Sequence, residues 1–128
     1  MKKNRVGKTN LKISEIGLGC SGFGNLYSEI DVPETKEIIN TAYNNGIKYF
    51  DTVPHYGAGL SERRLGVDTS NLPRKDIVIS TKVGRLLNPN DPKNLCPITA
   101  HGFINAAPFN IVLDYTCNGI MRSVEDSL

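Results

Sequence analysis

Val6, Leu11 and Ile13 are spaced around a polar turn sequence, Gly7-Lys8-Thr9-Asn10, which predicts a small β-hairpin over residues 5–14. Ile16-Gly17-Leu18-Gly19 is a short apolar run and predicts a buried strand. The period then changes. Ile38, Ile39, Ala42 and Tyr43 recur at helical spacing behind Asp31-Val32-Pro33-Glu34. Asp31 can cap that helix, Glu34 completes a D-x-x-E box, Pro33 falls in the first turn where no amide is needed, and Gly46 supplies a left-handed stop. Lys48-Tyr49-Phe50-Asp51 predicts the next strand. Ser61 is the expected cap of a short helix through Leu65, with Gly66 near its end. The β-branched run Ile77-Val78-Ile79-Ser80-Thr81-Lys82 predicts a further strand. From residue 84 to about 110 no period survives, and Pro89, Pro92, Pro97 and Pro108 fall within it. A long irregular loop is expected there, and loops of that length are commonly functional or disordered. Asn118 is the expected cap of a last helix with the stripe Ile120, Met121, Val124 and Leu128.

The expected strand ends Gly19, Asp51 and Lys82 stand 32 and 31 residues apart. That is the length of one β-loop-α unit, so the chain reads as an α/β protein with a repeating parallel architecture. The last helix has no C-cap, Gly or Pro, and three parallel strands close no barrel and leave exposed edges as an open sheet. Residues 1–128 are therefore expected to form one partial domain, the amino-terminal part of a larger unit. Alone, such a part is expected to be poorly soluble, molten or self-associating, because its edges and an apolar face stay uncovered.

Composition narrows the partners. Fifteen Lys and Arg against 13 Asp and Glu give a net charge of +2, and the basic residues are spread rather than clustered, so no nucleic-acid partner is expected. No apolar run is long enough for a membrane helix. Met1-Lys2-Lys3-Asn4 is not followed by an apolar segment, which argues against a secretory signal. Cys20, Cys96 and Cys117 are an odd count without disulfide-scaffold or zinc spacing, and fit free thiols in a reducing, cytoplasmic compartment. A metal site from Cys96, His101 and Cys117 has suitable ligand types but no diagnostic spacing.

Gly17-Leu18-Gly19-Cys20-Ser21-Gly22 matches G-x-G-x-x-G behind a strand. A dinucleotide fingerprint also needs a helix opening at its third glycine and an acidic residue ~20 positions further on. Phe23-Gly24-Asn25-Leu26-Tyr27-Ser28 follows instead, and Asp51 lies 32 positions past Gly19. These glycines are expected to turn the chain or to let a loop approach a ligand.

Asp51, Tyr56 and Lys82 carry the candidate chemistry. Asp51 and Lys82 end consecutive parallel strands ~4.8 Å apart and are placed to pair, with Tyr56 in the loop just after Asp51. A phenol ionises near pH ~10 and needs a neighbouring cation to exchange protons near neutrality. Lys82 would be that cation and Asp51 would hold it charged, which suits a carbonyl oxygen gaining a proton as its carbon gains hydride. Spacing alone also fits an ordinary strand-end ion pair beside a packed tyrosine.

Three segments resemble the signatures of aldo-keto reductases. They are Gly7-Lys8-Thr9-Asn10-Leu11-Lys12-Ile13-Ser14-Glu15-Ile16-Gly17-Leu18-Gly19, Tyr49-Phe50-Asp51-Thr52-Val53-Pro54-His55-Tyr56-Gly57 with Leu60-Ser61-Glu62-Arg63-Arg64-Leu65-Gly66, and Ser80-Thr81-Lys82-Val83-Gly84. Arg85-Leu86-Leu87, the long loop, and 114–128 resemble the branch of D-threo-aldose, L-fucose and L-galactose 1-dehydrogenases and pyridoxal 4-dehydrogenase. The resemblance implies a (β/α)8 barrel with a hairpin plugging its bottom, and a catalytic tetrad of Asp, Tyr, Lys and His whose first three members match Asp51, Tyr56 and Lys82. It implies a nicotinamide cofactor, NAD or NADP, with its ribose near Gly19, Cys20, Ser21 and Asp51, and a sugar lactol, alcohol, aldehyde or ketone as substrate. Cys20 stands where many relatives carry Thr or another small residue. In the family the tetrad His and the remaining cofactor contacts come later in the chain than Leu128, and His55 and His101 do not match them. The alternative expectation is a truncated, inactive or partner-dependent fragment. The oligomeric state has no signature in this sequence.

Overall fold

A computed structural model describes residues 1–89 and 102–128. Strands β1 (Lys3–Arg5) and β2 (Lys12–Ser14) pair antiparallel, with Lys3 opposite Ser14, so the hairpin begins two residues ahead of the expected Arg5. Strands β3 (Leu18–Gly19), β4 (Tyr49–Asp51) and β5 (Val78–Ser80) form a parallel sheet in the order β3-β4-β5. Gly19 lies opposite Asp51, and Asp51 opposite Ser80. The repeat of about one β-loop-α unit is thus realised as strands in register. It puts the ends of three strands side by side.

Helix α1 (Val32–Asn44) joins β3 to β4, and α2 (Leu60–Thr69) joins β4 to β5. Asp31 caps α1 as its motif predicts, its carboxylate accepting the Glu34 amide at 2.8 Å. Asp31→Ala should therefore cost about 1 kcal/mol, read as a lower urea midpoint at unchanged slope. Helix α2 departs from expectation. Its cap is Gly59 at φ +89°, and it runs on through Gly66. Ser61 does not cap because its hydroxyl is committed inward: it donates to the Cys20 carbonyl at 2.6 Å and bonds the Thr52 hydroxyl at 2.9 Å, all three residues being buried.

The two faces of the sheet differ. Phe50 is fully buried with Ile39 of α1 and Leu65 of α2, and its register partner Ile79 packs against the same cluster. Cys20 and Phe23 complete that core from the turn after β3. Alternation along the strands leaves Tyr49, Asp51, Val78 and Ser80 on the opposite face.

The ends of the expected long loop are ordered. β6 (Arg85–Pro89) pairs antiparallel with β7 (Phe109–Leu113), from Arg85 opposite Leu113 to Pro89 opposite Phe109. Pro89 is tolerated at the last position of a strand, where the ladder stops. Cys96 and His101 lie outside the described residues. Helix α3 (Cys117–Ser127) follows, and its cap is Thr116, whose hydroxyl accepts the Gly119 amide at 3.1 Å. Asn118 is instead a first-turn residue. The α3 stripe is largely uncovered, Met121 and Val124 being exposed and Leu128 fully so, while buried Ser123 accepts the Gly84 amide at 3.2 Å.

Candidate active site

Asp51 closes β4 and Lys82 follows β5 by two residues. The Lys82 ammonium donates to Asp51 Oδ2 at 2.9 Å, to Oδ1 at 3.2 Å and to the Thr52 carbonyl at 3.3 Å. Burial pushes the Asp51 carboxyl up, but the Ser80 hydroxyl and Lys82 together outweigh this and hold it below its ordinary value. Lys82 is raised, chiefly by its bond to Asp51, against partial desolvation and with further help from Tyr56 and Tyr49. Both shifts favour the charged pair. For Asp51 the linked stability is present above the unfolded carboxyl's pKa and lost as pH falls; for Lys82 it is present below the unfolded amine's pKa and lost as pH rises.

Tyr56 sits in a tight loop in which Gly57, Ala58 and Gly59 all have positive φ. Its amide donates to the Val53 carbonyl at 3.0 Å, and its carbonyl accepts the Ser61 amide at 3.2 Å. The loop is also pressed against the turn after β3. A β-carbon on Gly24 would come within 2.5 Å of the Tyr56 carbonyl carbon, and one on Gly57 within 2.5 Å of the Gly24 oxygen. Tyr56 and Lys82 line one open cavity of about 320 Å³ with Val53, His55, Arg85 and Tyr115. Asp51, Tyr56 and Lys82 are therefore gathered at one end of the sheet.

Two groups to which the sequence assigned no role complete the arrangement. Phe103, in the stretch without period, is buried against His55 and Tyr56, with ring centroids 5.5 and 5.9 Å away. It is held there by bonds from the Tyr27 amide to the Gly102 carbonyl and from the Ile104 amide to the Asn25 carbonyl, both 2.9 Å. Arg64 of α2 fixes the other side of that loop. It donates to the carbonyls of Phe23 and Ile30 and to Asn25 Oδ1 at 2.7–2.9 Å.

The residues after β3 divide. Gly19 is exposed, and a β-carbon added there would meet nothing within 4 Å, so its surface is open to a flat ligand. Ser21 is half-buried at the start of a 3-10 turn. Cys20 faces the other way. Its side chain is fully buried, its thiol donates to the Leu18 carbonyl at 3.6 Å, its amide to the Asp51 carbonyl at 2.8 Å, and its carbonyl accepts from Ser61. Burial, with the Asp51 carboxylate nearby, pushes the thiol up from 9.0 to about 12. Native Cys20 should resist iodoacetamide while exposed Cys117 is labelled, as peptide mapping before and after denaturation would read. Unfolding lets the thiol ionise near 9.0, so this contribution to stability is whole below pH 9.0 and is lost between 9.0 and about 12.

Among the described residues no group of three His, Cys, Asp or Glu could hold a metal ion, and no helix is long and apolar enough to cross a membrane.

Known proteins share this fold. The aldo/keto reductase family profile matches residues 15–128. The chain belongs to the aldo/keto reductase family. It is 38% identical over 118 residues to D-threo-aldose 1-dehydrogenase of a Pseudomonas species, which covers 91% of this chain and 36% of that protein. It is 36% identical to pyridoxal 4-dehydrogenase of Microbacterium luteolum, over 98% of this chain and 38% of that one. An aldo-keto reductase from Bacillus halodurans, solved in its holo form, superposes with a TM-score of 0.71 at 30% identity, over 100% of this chain and 35% of its own. The chain thus spans little more than a third of the length of these relatives. The parallel sheet with its two crossover helices is accordingly the amino-terminal portion of an aldo-keto reductase (β/α)8 barrel, incomplete in these 128 residues. Aldo-keto reductases use nicotinamide cofactors. Gly19 presents an open surface, and its register partner on β4 is Asp51.

Proposed function

We propose that the protein carrying these residues is a nicotinamide-dependent oxidoreductase acting on a sugar lactol or alcohol, or on the corresponding aldehyde or ketone. The observation that carries this reading is the Asp51–Lys82 pair, 2.9 Å apart at the end of the sheet, with Tyr56 on the same cavity as Lys82. When bound, NAD or NADP would supply or accept the hydride. Gly19, Ser21 and Asp51 would hold its nicotinamide ribose, and Cys20 would contribute only through the shape of the turn, its polar groups being engaged elsewhere.

In reduction Tyr56 hands its phenolic proton to the substrate oxygen as carbon receives hydride; in oxidation it takes the hydroxyl proton. Lys82 stabilises the phenolate, and Asp51 keeps Lys82 charged and aimed. His55 lines the cavity beside Tyr56, and Phe103 packs against both rings. The sugar preference is supported by likeness to D-threo-aldose 1-dehydrogenase and to the L-galactose dehydrogenase of Arabidopsis thaliana.

The alternative, that these 128 residues alone do not catalyse, is supported by the uncovered α3 stripe and the short span against relatives. One titration separates the two. Reduced NAD and NADP are added to the full natural chain and to residues 1–128, and fluorescence and turnover of a panel of aldoses and aldehydes are followed. Binding and turnover by the full chain alone support both statements. Turnover by residues 1–128 would remove the alternative, and failure of the full chain with every cofactor and substrate would remove the oxidoreductase reading.

A further inference from the structure

Asp51 has a second partner besides Lys82. The Ser80 hydroxyl, directly across the β4–β5 register, donates to Asp51 Oδ1. The Tyr49 hydroxyl lies 3.0 Å from the same Ser80 oxygen. The directions of these bonds follow from proton count. A carboxylate only accepts, so the single Ser80 proton is committed to Asp51. Tyr49 must therefore donate to Ser80. A one-way chain results: Tyr49 O–H to Ser80 O–H to the Asp51 carboxylate, which Lys82 meets from its other side.

A separate feature points to the same chain. A β-carbon on Gly17 would lie 2.5 Å from the Tyr49 ring. Gly17, first of the glycines that imitate a dinucleotide fingerprint, is thus the residue that makes room for this tyrosine. Strand alternation explains the rest. Tyr49 and Asp51 are two apart on β4 and share a face with Ser80, while Phe50 and Ile79 face the helices.

We propose that Ser80 and Tyr49 are positioning residues that fix the rotamer and the charge of Asp51, and through it the aim of Lys82 at Tyr56, with Gly17 admitting the Tyr49 ring. In the absence of the Ser80 proton, Asp51 loses a donor that favours its ionised form and is free to turn about its side-chain torsions. The groups around the Asp51–Lys82 pair are the Cys20 thiol in the turn after β3, Tyr49 on the same strand, Tyr56 in the following loop, and His55, Arg85 and Tyr115 on the cavity that Lys82 lines. Of these, the groups that act on the pair are Cys20, Tyr49 and Tyr56, and none of the three is a donor that could replace Ser80 at Asp51 Oδ1. The effect on Tyr56 rests on the oxidoreductase reading; the effect on Asp51 does not.

The test is a carboxyl-carbon NMR titration of the full natural chain labelled at aspartate, with Asp51→Asn to assign the resonance. Ser80→Ala should raise the Asp51 midpoint, Tyr49→Phe should raise it less, and Ser80→Thr should restore it. A purely structural role would lower the melting temperature and leave the midpoint in place. An unchanged midpoint in folded Ser80→Ala, or in Tyr49→Phe should the first variant not fold, overturns the proposal. The readout needs no turnover, so a protein that oxidises no substrate defeats the oxidoreductase reading and leaves the Asp51 midpoints to decide the positioning role independently.

Discussion

Tyr56→Phe in the full natural chain should lower kcat for carbonyl reduction by about 10²–10⁴-fold, the usual contribution of a positioned proton donor. The substitution removes one oxygen and leaves the ring. The contact with Phe103 at 5.9 Å, and that of Phe103 with His55 at 5.5 Å, do not depend on the hydroxyl, so the cavity wall should persist. KM should accordingly change far less than kcat, because only an interaction made during proton transfer is lost. Steady-state kinetics with a saturating reduced cofactor would measure both. Full turnover by Tyr56→Phe would return the Asp51–Lys82 pair to the status of an ordinary strand-end ion pair.

Gly57→Ala should produce the largest loss of stability. The new methyl would sit 2.5 Å from the Gly24 oxygen and 2.9 Å from its α-carbon, both backbone atoms that cannot swing aside. Overpacking of this kind costs about 1–3 kcal/mol. The φ of +64° adds about 1–2 kcal/mol for a residue with a β-carbon. Gly24→Ala meets the same contact from the other side, 2.5 Å from the Tyr56 carbonyl carbon, at an ordinary φ, and should cost less. Both variants should also lose activity, because relief of the clash moves Tyr56 away from Lys82. Gly66→Ala is the control. A β-carbon there meets nothing within 4 Å in the interior of α2, so the change should stabilise by up to about 1 kcal/mol. Urea midpoints should fall for the first two variants and rise for the third. A Gly57→Ala protein as stable as the parent would contradict the tight seating of the two loops.

The parts of this molecule that rest on local chemistry were legible in the sequence. The Asp31 cap needs only a carboxylate three residues ahead of a free amide, and it forms. The spacing of Gly19, Asp51 and Lys82 reflects the length of a crossover unit, and the register puts Gly19 beside Asp51 and Asp51 beside Ser80. The ion pair follows from that register. What escaped depends on tertiary partners. Ser61 reads as a cap, yet Cys20 and Thr52 offer its hydroxyl better-placed buried bonds. Residues 85–89 and the start of 109–113 fall in the stretch read as loop because no turn of hairpin length joins them, and they pair across a long intervening segment. Thr116 takes the cap expected of Asn118 because Asp114 holds its hydroxyl at 2.7 Å and its amide at 3.0 Å. Cys20 sits in the segment proposed to hold the cofactor, but its position in the turn sends its side chain into the core. Tyr49 and Ser80 look like ordinary strand residues until the strands are aligned.

The Asp51–Lys82 pair is built from β4 and the residues just after β5, whereas the loop carrying Tyr56 also packs on Phe103, and its Gly57 carbonyl accepts the Ala107 amide. The uncovered stripe on α3, by contrast, is a face that a further element of a barrel would cover. The local chemistry and the global closure of the fold therefore make separate demands on the sequence.

The measurement that bears most directly on the oxidoreductase reading is the fate of the carbon-bound hydrogen. The full natural chain is incubated with oxidised NAD and, separately, NADP, together with aldoses and alcohols deuterated at the carbon to be oxidised. The reduced cofactor is then analysed by mass spectrometry. Direct hydride transfer beside Tyr56 predicts deuterium in the reduced nicotinamide with at least one of the two cofactors, and its loss or steep reduction in Tyr56→Phe. Reduced cofactor without deuterium, or no reduction of either cofactor by any substrate, would contradict it.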